Sequence, residues 1–375
     1  MAETKKSTRT SKGVKEKQIL IRGVNWLGDA VMTLPAITRL KEKFPDSVVT
    51  VLAPSKLSSL YSLSSSVSNV LSFDPSEGLF TVAGRLRKAS LELGIIFPNS
   101  PRSALELFLG GVPKRIGYSR RWRSLFLTSK VPPYGKEIAM RKRSRAEIKE
   151  LISNPLYSRQ HIPFSAHQIH HYLQLVAFLG CDSEPAPPRL NILGKSVFEF
   201  REKFGLEKNA RFVGVNPGAE YGPAKRWPRE KFIEAMKYVD LGVDVHWLLF
   251  GGSGDIDTCQ MIKAQFPSSS LTDLSGRTSL VELCAGLKVC DAVLTNDTGP
   301  MHLASAVGTP IVVPFGSTSP ELTGPGWPPV KEGILKADVP CSPCFLKVCP
   351  IDFRCMQAIS SRLVADKLLN ILLLK

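Results

Sequence analysis

The run Thr295-Asn296-Asp297-Thr298-Gly299-Pro300-Met301-His302 joins a strand-like apolar stretch, Asp291 to Leu294, to a helix-like one. At such a turn Asp297 and Thr298 are placed to cap the helix, and Gly299 lets the backbone approach a ligand closely. The free N–H groups and the dipole of a helix's first turn favour an anion. A second strand, Ile311 to Pro314, leads into another small-residue turn, Phe315 to Pro320. Two such loops in succession point to a diphosphate held at the carboxyl edge of a parallel sheet. An ordinary capped helix of an α/β protein is the plain alternative.

Four further features can do chemistry. Asp29 lies where the first strand gives way to a helix expected from Ala30, so it reads either as a general base on an acceptor hydroxyl or as a simple N-cap. The helix N-terminus depresses its pKa, so burial or a positioned acceptor must restore basicity. Gly28 beside it leaves room for a sugar. The loop Asn216 to Pro228 contains Gly218 and ends in Lys225-Arg226-Trp227. There Lys225 can sit on a phosphate, Arg226 can bind a phosphate bidentately or pair with an acid, and Trp227 reads as a packing anchor, with a base-stacking platform as the alternative. Phe250 to Asp255, with Ser253, suits a ribose or base edge, or is only a tight turn. His302, one helical turn beyond Thr298, can point at the pyrophosphate or serve structure alone. His170 and His171 have no evident partners. No paired carboxylates with metal spacing occur, so no protein-held catalytic metal is expected.

Alternating strands and helices must position these groups. Gln18 to Arg22, Val48 to Ala53 and Leu93 to Phe97 read as buried strands, with helices at Ala30 to Lys43 and His167 to Leu179. Ile116 to Tyr118 and Leu125 to Leu127 read as short strands. The second half repeats the alternation, with strands at Phe212 to Asn216, Val245 to Phe250, Ala292 to Thr295 and Ile311 to Pro314. Its helices are expected at Arg229 to Tyr238, Ile256 to Phe266, Leu280 to Lys288 and His302 to Val307. A parallel, doubly wound α/β fold follows, with a ligand in the cleft between two halves. The predicted organisation is a disordered basic tail (1–17), a first domain (18–183), a proline-rich linker (184–194), a second domain (195–358) and a final helix (359–375), its core at Ser361 to Leu374. The first strand lacks a G-x-G-x-x-G, which argues against a dehydrogenase.

The 375 residues suit two domains, each with its own core, and 43% hydrophobic and 22% charged residues are those of a globular protein. No apolar run reaches the ~20 residues of a membrane span, and no signal-peptide core is present. The net charge of +16 is concentrated: Lys114 to Lys149 holds 12 Lys or Arg against Glu137 and Glu147. Such a face attracts anionic lipid or a phosphorylated glycolipid, or is merely solvated; no nucleic-acid module is recognisable, and nucleic acid is not expected as a partner. Cys341, Cys344, Cys349 and Cys355 follow C-x2-C-x4-C-x5-C, more compressed than paired zinc knuckles. Free thiols packing a C-terminal loop are the first expectation, with a structural metal or a disulfide as alternatives.

Val24 to Asp29, Pro217 to Pro228 and Asn296 to His302 together resemble glycosyltransferase family 9, the ADP-heptose:lipopolysaccharide heptosyltransferases. Gly222 to Pro228 and the cysteine tail are closest to its type II branch. The resemblance runs from about Ile19 to the C-terminus. It implies a GT-B fold of two Rossmann-like domains around an interdomain cleft, the first binding the acceptor and the second the nucleotide sugar. It implies inverting transfer from ADP-L-glycero-β-D-manno-heptose to the inner-core heptose of a lipid A-Kdo-heptose acceptor. Asp29 is then the base and Lys225 the partner of the departing diphosphate. Gly218, Ser253, Asp255, Asp297, Thr298, Gly299 and His302 fall on the nucleotide-sugar side, and Asn25, Trp26 and Gly28 on the acceptor side. No cofactor is implied, and any Mg2+ would travel with the substrate. A monomer at the cytoplasmic face of the inner membrane of a Gram-negative bacterium is expected, drawn there by its basic face. One departure stands out: type I members carry a Glu where this chain has Gly251 to Asp255, so either Asp255 replaces it or the nucleotide contact differs. The rivals are a family 9 enzyme with another donor or acceptor, and a non-catalytic binder of nucleic acid or lipid.

Overall fold

A computed structural model describes residues 17–154, 161–327 and 333–374. The expected disordered tail otherwise lies outside the described residues, but Lys17 is built in. Its carbonyl accepts from the Val48 N–H at 3.0 Å and its ammonium lies 4.4 Å above the Phe44 ring.

Short apolar runs separated by amphipathic segments give two parallel sheets. The first contains β1 (Gln18–Arg22), β2 (Val48–Pro54), β3 (Asn69–Phe73), β4 (Leu93–Ile96), β5 (Lys114–Tyr118) and β6 (Ser129–Val131). The second contains β7 (Phe212–Asn216), β8 (His246–Leu249), β9 (Leu271–Asp273), β10 (Ala292–Thr295), β11 (Ile311–Phe315) and β12 (Ile334–Lys336). The strand orders, β3-β2-β1-β4-β5-β6 and β12-β11-β10-β7-β8-β9, are the same winding twice. Each order reverses direction between its first and fourth strands, β1 and β4 or β7 and β10. The carboxyl ends there open a crevice that no crossover helix covers, which is where doubly wound sheets bind ligands.

Each half buries a core of its own, around Leu20, Leu86 and Leu107 in the first and Val215, Phe232 and Leu294 in the second, and a larger cluster joins the two. That cluster includes Ile21, Val31 and Ile37 of the first half and Phe250, Met301 and Leu303 of the second. The helices Leu27–Lys43 and Gly299–Ala306 pack together across the junction. The linker is lashed to both sides: the Asn191 N–H donates to Leu63 O at 2.9 Å and the Leu190 N–H to Ala306 O at 3.1 Å.

Several boundaries differ from the sequence reading. The first helix starts at Leu27 rather than Ala30, with no side-chain cap, so Asp29 stands inside its first turn. The stretch expected as a strand at Leu125 to Leu127 is instead the end of a 3-10 turn, Arg121–Phe126. The cause is Arg123, almost wholly buried, which donates to Ile96 O at 3.1 Å and Tyr118 O at 2.9 Å and curls the chain around itself. The helix Gly299–Ala306 begins earlier than expected, and Thr298, its N-cap, makes no side-chain cap bond.

The final helix, Ser361–Leu373, buries Val364, Ala365, Leu368 and Leu372 against the helix Arg229–Asp240. Trp227 is the packing anchor expected of it, 2% exposed, with its ring 5.0 Å from Phe232 and its Nε1–H donating to Ile359 O at 3.2 Å. Trp227→Ala is expected to cost about 3–5 kcal/mol by leaving a cavity. Urea unfolding measures that loss.

Candidate functional site

A cavity of about 820 Å³ lies between the two sheets' carboxyl edges. Every named candidate except Asn25 lines it. From the first half come Trp26, Gly28 and Asp29; from the second come Gly218, Lys225, Ser253, Asp255, Asp297, Thr298, Gly299 and His302. Asn25 is exposed, and its Oδ1 lies 3.5 Å from Arg22 Nη1.

Asp29 is pushed up to about 6. Burial is the largest cause; the Lys225 charge opposes it, and the Asp297 charge adds to it. The helix N-terminus favours the ionised form, so here desolvation outweighs the dipole. The carboxylate thus feels both charged groups of the opposite half.

Lys225 is not a free cation. Its ammonium pairs with the Asp297 carboxylate at 2.7 Å and lies 5.3 Å from the Tyr221 ring. Asp297 is buried and also accepts a hydrogen bond from the Thr318 hydroxyl. It therefore does not cap the following helix, contrary to the expectation from spacing. It aims the lysine instead, and neither side chain of the Asp297-Thr298 turn takes up the first-turn N–H groups. Asn296 fixes the turn against the neighbouring loop: its amide donates to Pro217 O at 2.7 Å and accepts from the Trp227 N–H at 2.9 Å.

Two glycines set close approaches. A Cβ on Gly28 would stand 2.7 Å from His302 Cδ2, so this glycine clears the imidazole of the opposite half. A Cβ on Gly218 would stand 2.3 Å from the Asp255 carboxyl. Asp255 itself accepts from the Gly252 N–H at 3.1 Å and lies 3.8 Å from Arg226 Nη2, so Arg226 takes its acid-pairing role. His302 is buried and held down to about 4, mainly by desolvation, so it is neutral at pH 7.

The sequence reading missed Tyr221, Ser279, Thr318, Gln168, Met140 and Phe345, which also line the cavity. Thr318 lay in a turn already singled out. Ser279 carried a legible signal, the S-x-x-E capping box completed by Glu282. Gln168 and Met140 had none, because only the tertiary path of the segment after β6 brings them here. His170 does find partners: its ring lies 5.0 Å from Trp327 and 6.0 Å from Tyr134.

The eight cysteines are free thiols. Cys341 and Cys344 pack on Ile148, and burial pushes the Cys355 thiol up to about 12. Among the described residues, no group of three His, Cys, Asp or Glu is arranged to hold a metal ion.

The profile described as Glycosyltransferase family 9 (heptosyltransferase) matches residues 79–353. Lipopolysaccharide heptosyltransferase 2 of Escherichia coli K12 is 28% identical over 82% of this chain and 85% of its own length. Lipooligosaccharide heptosyltransferase 2 of Haemophilus influenzae is 27% identical, with 82% and 85% covered. The solved structure of E. coli ADP-heptose LPS heptosyltransferase II superposes with a TM-score of 0.74 at 23% identity, covering 96% of this chain and 99% of that one. That likeness bears out the expected two-domain GT-B architecture.

Proposed function

The chain belongs to glycosyltransferase family 9, the heptosyltransferases, and on that footing we propose that it transfers heptose from ADP-L-glycero-β-D-manno-heptose to the inner-core heptose of a lipid A-Kdo-heptose acceptor. One observation carries the reading: Asp29, raised to about 6, shares one cleft with the Lys225–Asp297 pair and the first turn of the helix Gly299–Ala306. A base that titrates near neutrality is ionised at pH 7 yet still able to take a proton.

In the proposed step the Asp29 carboxylate receives the proton of the acceptor hydroxyl. That oxygen forms a bond to the anomeric carbon from one face. The bond from that carbon to the diphosphate breaks on the other, and its electron pair leaves with ADP. The configuration inverts. Lys225, aimed by Asp297, and the first-turn N–H groups stabilise the charge that develops on the diphosphate. Asp297 meets the ligand through sugar hydroxyls, since phosphate would repel it. Ser253, Asp255 and Gly218 bound the end of the cleft assigned to the nucleoside. The chain's own cation and amides face the leaving group, so any Mg2+ travels with the substrate. One chain supplies both halves of the site, so a monomer suffices.

No helix among the described residues is long and apolar enough to cross a membrane. The lipid-linked acceptor therefore implies a peripheral position at the inner face of the cytoplasmic membrane of a Gram-negative bacterium, basic face toward the lipid. A parallel melting series with ADP, UDP and GDP tests the donor. Ligand bound only by the folded state raises Tm with affinity, so ADP is expected to give the largest shift. A larger shift with UDP or GDP would assign the site to another nucleotide sugar.

A further inference from the structure

We propose that the 3-10 turn Arg121–Phe126 is a membrane wedge, which docks the first half of the molecule on an anionic bilayer with Trp122 and Leu125 entering the headgroup layer. This deepens the reading above and rests on its lipid-linked acceptor.

Trp122 is 75% exposed and Leu125 69%. In a 3-10 turn residues three apart stand on the same face, so these two side chains project together. The apolar surface continues beneath them. Phe126 lies 5.5 Å from Phe108, itself 44% exposed, and the Arg115 guanidinium lies 5.3 Å over the Phe108 ring. Arg115 Nε also donates to Phe126 O at 2.7 Å, which stitches the patch together.

The turn stands on a firm base. Between the two projecting residues, buried Arg123 is bonded to Ile96 O, Tyr118 O and Asn99 Oδ1. A chain that buries a guanidinium in order to hold a tryptophan in solvent needs something for that tryptophan to meet.

The surrounding charge says what it meets. Lys114, Arg120, Arg121 and Lys130 are exposed around the turn. Arg120 pairs with Glu137 at 3.0 Å, whereas Lys114, Arg121 and Lys130 make no ion pair among the described residues. An indole and a leucine ringed by unpaired cations match a bilayer interface, where Trp sits at headgroup depth and Lys or Arg meet lipid phosphates. Ile96 and Tyr118 end β4 and β5, so Arg123 holds the start of the turn at the carboxyl edge, and the chain then runs back to Arg115 near the start of β5, where Phe126 is bonded.

The test is cosedimentation of the full-length protein with vesicles of phosphatidylcholine alone and of phosphatidylcholine mixed with phosphatidylglycerol. The protein is expected to partition onto the mixed vesicles, less so as salt is raised. Trp122→Ser with Leu125→Ser should weaken that partition about tenfold or more, and Arg121→Gln with Lys130→Gln should remove part of its salt dependence. Both double variants should keep the wild-type Tm and wild-type transfer to an acceptor saccharide stripped of acyl chains. Undiminished vesicle binding by the Trp122/Leu125 variant would overturn the wedge, as would equal binding of wild type to neutral and anionic vesicles. Absence of transfer by the wild type to any acceptor would instead overturn the transferase reading, and the vesicle result would stand apart from it.

Discussion

Asp29→Asn is expected to slow transfer by about 10²–10⁴-fold, the usual worth of a positioned general base, and at the same time to stabilise the protein above pH 7. The two effects share a cause. The folded-state pKa, about 6, lies above the ordinary value of 3.8, so the native fold holds this proton more tightly than the unfolded chain does. The stability this provides is fully present below about pH 4 and is lost as pH rises through 6. Two pH units correspond to about 3 kcal/mol. Asparagine carries no charge to bury and escapes that loss. Wild type and variant should therefore melt alike near pH 4, while the variant melts higher at pH 8. Wild-type kcat/KM should fall about tenfold per pH unit below 6, where the base is protonated. A variant that keeps wild-type rates would remove Asp29 from the chemistry.

Lys225→Met should act in the opposite sense on stability while also slowing transfer. It strands the Asp297 carboxylate, which is 2% exposed and, among the described residues, keeps only the Thr318 hydroxyl as a side-chain partner. Breaking a buried pair from one side costs about 3 kcal/mol or more. Loss of the cation from the leaving group should lower kcat by about 10²–10³-fold. Adding Asp297→Asn should restore most of the stability and none of the rate. Denaturant unfolding and steady-state kinetics on the single and double variants separate the two roles. A double variant that recovers activity would show that Lys225 serves only to neutralise Asp297.

Much of this was legible in the residues. Strands buried on both faces read as unbroken apolar runs, such as Ile19 to Ile21 and Val293 to Leu294, so the repeated alternation and the parallel sheets followed. The turns after β1, β7, β8 and β10 carried small residues and charges at spacings that suit a ligand, though a capped helix or a tight turn reads the same way. Less visible were features fixed by tertiary contact. Nothing polar marks the start of the first helix at Leu27, because Leu27 is seated against Gly299 of the other half. Asp297 looked like a cap because its partners, Lys225 and Thr318, arrive from distant loops. Leu125 looked like strand because its apolar side chain points to solvent, while a neighbouring arginine is the buried one. The edge strand β3 escaped notice because it is half exposed. The continuous core joining the two halves has no local signature at all.

The most direct test of the central claim is the anomeric configuration of the product formed by the wild-type protein from ADP-L-glycero-β-D-manno-heptose and a heptosyl-Kdo acceptor, read by NMR with ADP release followed in parallel. One ADP per new glycosidic bond, with the β-linked donor giving an α-linked product, is the result the account predicts. A β-linked product, or ADP released without any new bond to the acceptor, would contradict it.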